Sequence, residues 1–360
     1  MMDQTINNSG PREKISEIKT LILSAGFMYL LFLLYFIFVL KFDLFRSDVY
    51  QYWKESYNWR APFSTWWVPG YSLLVALVRG LTFNLFPPLV IMWFISGISY
   101  VIAVVIVYKI IIMFNLKYAI QIALVFAVFP FVGLTESVNP RADITTTALL
   151  LLSLFFFEKK QWLAFTLASA LCLITHKATW FFIPPLSLFA FFQDRKSRMI
   201  IPFSVIPLFA WMICGAVYYN DIFWFMHYGI SKLIKSSSSI PVLDGLIGPF
   251  FSGSLPKMIK GFLVFLTFLS AIFSLIYSYR MHFRVGIILA ISIIMMAISL
   301  NRYEIWAVVR FSKIMVVPLA FVLQNIPLKI KMNSNSRWAL IILLFILTNI
   351  SFGYYMANSQ

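Results

Sequence analysis

Residues 88–112 read PLVIMWFISGISYVIAVVIVYKIII, with Lys109 as the only charge. A stretch this long and this apolar decides the fold. A bilayer core about 30 Å thick is crossed by about 20 mainly apolar helical residues. Inside hydrocarbon every backbone amide must bond within its own segment, and the run lacks the polar alternation of a barrel strand. The segment reads as a transmembrane helix.

The same test finds further runs on both sides. They lie near Leu21–Leu40, Ala119–Leu134, Ile144–Phe157, Trp162–Ile174, Thr179–Phe192 and Met199–Tyr218, and later near Met258–Tyr277, Val285–Leu300, Trp306–Gln324 and Trp338–Tyr355. The expected fold class is therefore all-α, a polytopic transmembrane helical bundle of about 11 spans. Composition agrees. Hydrophobic residues make up 61% of the 360 and charged ones 12%, against about 45–50% and about 25% in soluble domains. Residues 1–20 form a cytoplasmic tail carrying Arg12, Lys14 and Lys19. No small-residue cleavage site follows the first span, so it reads as a retained anchor. Residues 21–356 form the membrane domain, with long outer loops at 41–87 and 219–257.

Lysine and arginine divide almost evenly between the two sides of this topology. However, Lys159-Lys160, Arg195-Lys196-Ser197-Arg198, Arg280 with Arg284, and Lys329 with Lys331 and Arg337 fall on the expected cytoplasmic turns, as the positive-inside rule requires. A net charge of +16 raises the question of nucleic acid, but the cations are scattered through membrane turns and no basic domain exists to dock a duplex. Membrane lipid, anionic lipid above all, is the expected partner. Cys172 and Cys214 both fall inside spans, where a thiol acts as a small apolar group.

Polar residues concentrate on the outer side. The first outer loop contains Asp43-Leu-Phe-Arg46-Ser-Asp48-Val-Tyr50, then Trp66-Trp67-Val-Pro69-Gly70-Tyr71. Its later part, 70–86, is apolar but interrupted by Arg79 and Asn84, and reads as a helix lying in the interface. Asp43 and Asp48 either solvate the loop or supply a base able to deprotonate a hydroxyl beside a lipid-borne substrate.

The next outer turn packs Glu136, Arg141 and Asp143 between two spans. Either they pair as ions at a bundle edge, or they wall an outer cavity. His176 and Lys177 sit at the membrane boundary, where snorkelling alone would account for the lysine. His227 and His282 are remote from His176, so no zinc site is expected. Asn301-Arg302-Tyr303-Glu304 leads to Arg310 and Lys313, three apart and able to share one helix face. No cofactor fingerprint appears, although a divalent cation is compatible with a phosphate-bearing substrate.

In this order the pieces resemble the GT-C superfamily of membrane glycosyltransferases, which use polyprenyl-phosphate-linked sugars. Asp48-Val-Tyr50 followed by Trp67-Val-Pro69-Gly70-Tyr71 resembles that superfamily's first outer loop, where an Asp precedes a Pro-rich start of an interfacial helix. Thr135-Glu136-Ser137 is similar to a turn of the glycosylphosphatidylinositol mannosyltransferases. Arg141-Ala-Asp143, Leu173-Ile-Thr175-His176-Lys177-Ala178 and Arg310-Phe311 through Pro318 resemble segments of protein mannosyltransferases and lipid A aminoarabinose transferases, with Ala178 where Gly is usual and Phe311 where Tyr is usual.

The resemblance implies an inverting sugar transfer at the extracytoplasmic face of the cell membrane. The donor would be a polyprenyl-phosphate sugar and the acceptor a glycan, lipid or protein. Asp48 would be the general base, with Asp43 in reserve, while Glu136, Arg141, Asp143, His176, Lys177, Arg302 and Arg310 would bind substrate or lipid phosphate. Negative charge developing on the leaving phosphate needs fixed cations in a dry site; Lys177, Arg302 and Arg310 suit that task. Two other classes fit the composition: a polysaccharide polymerase or ligase, with key residues in a late outer loop, and a lipid or solute transporter, which would want ions at mid-bilayer.

Overall fold

A computed structural model describes residues 11–38, 48–57, 68–116, 118–128, 140–224, 255–299, 308 and 311–325, and every regular element among them is helical. The α-helices are α1 (Pro11–Phe38), α2 (Asp48–Tyr57), α3 (Gly70–Leu81), α4 (Pro88–Met113), α5 (Ala119–Val128), α6 (Ala142–Glu158), α7 (Trp162–Thr175), α8 (Ile183–Phe191), α9 (Arg195–Ile200), α10 (Ile206–Tyr219), α11 (Leu255–Arg280), α12 (Arg284–Ser299) and α13 (Val316–Asn325). Short 3₁₀ segments at Lys177–Phe181, Ile201–Val205 and Ser312–Met315 join or precede some of them.

Three helical stretches, Ile15–Leu34, Pro88–Met113 and Arg195–Tyr219, are long and apolar enough to cross a membrane, and mark the chain as a helical membrane protein. Gly70–Leu81, Trp162–Thr175, Val264–Arg280 and Arg284–Ser299 are apolar but shorter. The run expected over 179–192 is not one helix. Pro184 and Pro185 open α8, and proline is suited to a first turn but cannot continue a helix already running, so the chain bends at Phe182 between the 3₁₀ turn and α8. Pro202 and Pro207 likewise put a 3₁₀ stretch inside Arg195–Tyr219. The expected span at 338–355 lies outside the described residues.

Helix ends are set by local chemistry. Five helices stop on a residue in the left-handed region: Phe83, Asn115, Lys160, Asn220 and His282, with φ between 50° and 55°. In each case the following amide reaches back, as from Gln161 to the Phe156 carbonyl and from Phe283 to Ser278. This closes the last turn and satisfies carbonyls that would otherwise be orphaned.

Between α6 and α7 that stop, at Lys159-Lys160, turns the chain back. The two helices therefore pack antiparallel, and α4 packs on the other side of α6. These contacts are lined by small polar residues: Ser99 Oγ and Thr145 Oγ1 lie 3.1 Å apart across α4 and α6, and Ser153, Thr166 and Ser169 are buried. Lipid supplies no hydrophobic drive between helices, so close approach by small side chains and interhelical hydrogen bonds hold such bundles together. Tyr29 on α1 donates to the Trp93 carbonyl at 2.7 Å, and Tyr100 on α4 donates to Ala127 at 2.8 Å, tying α1 and α5 to α4.

At the end of the bundle carrying the α6–α7 turn, Asp194 caps α9. Its Oδ1 accepts the Ser197 amide at 2.7 Å and its Oδ2 accepts Trp162 Nε1 at 2.8 Å. The Ser197 amide, foremost, holds the Asp194 carboxyl below its ordinary value. A folded pKa below the unfolded one means that the cap stabilises at neutral pH and is lost as pH falls through the folded pKa. Asp194→Ala should therefore accelerate amide exchange at Ser197 near neutrality, with the gap to wild type closing on acidification. Identical exchange at neutral pH would show the cap to be idle.

Candidate functional site

Because α6 and α7 are antiparallel, the start of α6 and the end of α7 meet at one end of the bundle. Arg141 is the N-cap residue of α6, in extended conformation, and Asp143 lies in its first turn. The positive end of the helix dipole favours a carboxylate there. His176 ends α7 and caps the 3₁₀ turn that begins at Lys177.

The Ala178 amide donates to His176 Nδ1 at 3.1 Å. That bond assigns the proton of a neutral ring to Nε2, and Nε2 lies 3.6 Å from Asp143 Oδ1. The two side chains are 12% and 4% exposed, so this carboxylate and imidazole face each other with little water between them. Thr179 Oγ1 donates to the Cys172 and His176 carbonyls, and Trp180 Nε1 to the Leu173 carbonyl, which fixes the turn beneath the imidazole. Phe311 packs against the His176 ring with centroids 5.3 Å apart, and Lys313, two residues on, is buried.

The outer-loop helices close on the same place. Gly70 begins α3 against the backbone of Ile174. The next residue, Tyr71, is fully buried, edge-on to Tyr52 of α2 at 5.0 Å. Burial pushes the Tyr71 phenol above its ordinary value, and the nearby Asp143 charge adds to the rise. Val49, the residue after Asp48, shares a buried cluster with Tyr52, Tyr71 and Ala142. Through Tyr71 this cluster links α2 to the start of α6.

Of the residues singled out from sequence, Asp143 and His176 are brought face to face, and Arg141 and Lys177 flank them along the chain. Asp48 begins α2. Asp43, Glu136, Arg302 and Arg310 lie outside the described residues. Sequence reading missed Glu55, buried on α2, whose Oε2 accepts from Ser72 Oγ at 2.9 Å and bonds α2 to α3. Its signal was spacing: Val49, Tyr52 and Glu55 fall three apart on one helical face. Tyr71 was missed as a neighbour of Asp143, since nothing local announces that approach.

These helices build a fold that is already represented among solved structures. The crystal structure of ArnT from Cupriavidus metallidurans bound to undecaprenyl phosphate matches with a TM-score of 0.54 at 14% identity, over 82% of this chain and 58% of ArnT. The likeness at that identity is one of fold, and the chain spans less than two thirds of ArnT's length. No protein-family model matches the sequence, and no curated protein matches it.

Proposed function

We propose that the chain is a polyprenyl-phosphate-dependent glycosyltransferase of the cell membrane. It crosses the bilayer about 11 times, with its amino terminus in the cytoplasm and its active site on the extracytoplasmic face. The observation that carries this reading is the fold shared with ArnT, whose crystal structure holds undecaprenyl phosphate. The cluster at the head of α6 supports it, because it gathers cations and a carboxylate–imidazole pair beside the helix that Asp48 begins.

In this reading Asp48 takes the proton of the acceptor hydroxyl. The acceptor oxygen bonds to the anomeric carbon, the bond from that carbon to the phosphate oxygen breaks with inversion, and polyprenyl phosphate leaves with the electron pair. Arg141 and Lys177, joined by Arg302 and Arg310, neutralise the phosphate, and His176 positions the turn that carries Lys177. Asp143 is itself an anion and does not bind phosphate directly; it orients His176, as carboxylates orient imidazoles in many sites. Glu136 and Asp43 complete the outer wall. The acceptor is a glycan, lipid or protein, and a divalent cation at the phosphate is compatible with the scheme.

The test is direct. Purified protein in lipid is offered a panel of polyprenyl-phosphate sugars, comparing wild type with Asp48→Asn. Transfer by wild type and its loss in the variant are expected; equal product from both would remove Asp48 as base. A second comparison addresses His176. Asn at this position can still accept the Ala178 amide but presents no imidazole to Asp143, whereas Phe loses both. Both variants should raise donor KM by roughly tenfold or more, the scale of one hydrogen bond to a charged group. His176→Phe should also lose about 1 kcal/mol of stability, the scale of a missing cap. Unchanged donor KM in both variants would mean that the imidazole does not position Lys177.

A further inference from the structure

The α2–α3 pair carries a second feature, away from the Asp143–His176 cluster. At its C-terminal end Tyr57, Arg79, Asn84, Leu85, Phe86 and Pro87 line a cavity of about 430 Å³. Arg79 lies at the far end of α3 from Gly70, roughly 13 Å along the axis at 1.5 Å per residue. The cavity is therefore separate from the site described above.

Its chemistry is that of an anion receptor. The Arg79 guanidinium carbon sits 4.4 Å from the Tyr57 ring centroid, so the ring face holds the group flat. Arg79 Nε and Nη1 are shielded from water and have no hydrogen-bond partner among the described residues. Donors buried in that state are costly until an acceptor meets them. Among the described residues no carboxylate lines the cavity, and Asn84 adds a side-chain amide at its rim. A planar guanidinium fork matches phosphate oxygens in geometry and charge.

The surroundings say where that phosphate is attached. Around the rim Leu81, Phe83 and Leu85 are 70%, 84% and 76% exposed. From the lip at Pro87 an exposed apolar stripe runs down α4 through Val90, Phe94, Ile98 and Ile102. Their four-residue steps keep them on one face of that membrane-length helix. A polar head in the cavity would continue into a tail lying along this stripe.

We propose that the cavity binds the headgroup phosphate of an anionic phospholipid of the surrounding bilayer, with Arg79 as the anion ligand and the α4 stripe as the acyl-chain track. The bound lipid would brace the C-terminal ends of α2 and α3, and so the outer-loop pair whose other ends meet the candidate site. None of this requires sugar transfer.

Native mass spectrometry of the full chain in detergent tests the proposal, with phosphatidylglycerol, phosphatidylcholine, undecaprenyl phosphate or inorganic phosphate added in turn. Wild type should retain phosphatidylglycerol in preference to phosphatidylcholine. Arg79→Gln should cut that retention by about tenfold, the effect of losing one charged phosphate contact. Arg79→Lys should fall between, keeping charge without the planar fork. Asn84→Leu leaves the Arg79–Tyr57 stack in place and should weaken retention severalfold, so the test survives if Arg79→Gln folds poorly. Asp48→Asn should retain the lipid as wild type does, which separates this outcome from the fate of the catalytic reading. Equal phosphatidylglycerol retention by wild type, Arg79→Gln and Asn84→Leu would overturn the proposal. So would loss of undecaprenyl phosphate alone in Arg79→Gln, or competition by inorganic phosphate as strong as by the lipid.

Discussion

Asp48→Asn should lower the turnover of sugar transfer by about 10²- to 10⁴-fold, the usual contribution of a positioned general base, while leaving donor KM nearly unchanged. The substitution keeps shape and hydrogen-bonding reach and removes only the ability to take a proton. Asp48 is the first residue of α2. Its neighbour Val49 is 2% exposed and packs in the cluster that includes Tyr71 and Ala142, so buried apolar packing holds the first turn of α2. Loss of a proton acceptor acts on the transition state alone, and kcat and kcat/KM should fall together. Asp43→Asn is the companion measurement. A large loss there with Asp48→Asn fully active would move the base to Asp43, and full activity in both would favour the polymerase or ligase class.

Much of the helical layout was legible because its cause is local. Apolar runs of the right length, broken by charged turns such as Glu158-Lys159-Lys160, place α4, α6, α7 and α12 to within a few residues of where they lie. A separate helix within 70–86 was legible too, because Arg79 and Asn84 interrupt an otherwise apolar segment, and the structure forms α3 there. The two proline pairs were visible too, but their consequence depended on which residues already stood in a helix, so the bend at Phe182 was read through.

The candidate site was legible as a set of residues and not as an arrangement. Asp143 and His176 were both conspicuous as polar groups at span ends. Their pairing depends on the antiparallel return of α7 along α6, a tertiary fact with no local signature. Glu55 shows the converse. In a polar loop helix a glutamate reads as solvated, and only the docking of α3 through Ser72 buries it. Side chains whose role is set by a partner far along the chain are the ones a sequence conceals.

The docking of α3 rests on one position, and a methyl group there should show it. A Cβ at Gly70 would stand 2.6 Å from the Ile174 carbonyl oxygen, 2.8 Å from its carbon and 3.0 Å from its Cγ1, roughly 1 Å inside ordinary contact distance. The nearest obstacle is backbone in the last turn of α7, and no rotamer change can clear it. Gly70→Val should therefore push α3 off α7 and cost about 1–3 kcal/mol, the range for overpacking a tight contact. The functional loss should be larger than the loss of stability. Tyr71 follows directly and is wedged between Tyr52 and Asp143, so any shift of α3 is delivered to the head of α2 and to the carboxylate–imidazole pair. A displacement near 1 Å at reacting groups can cost about 100-fold in rate. Gly80, on the same helix, meets nothing within 4 Å, which makes Gly80→Ala the matched control with near-normal melting and turnover. The reading fails if Gly70→Val melts and turns over like Gly80→Ala, because α3 would then not be seated on Ile174.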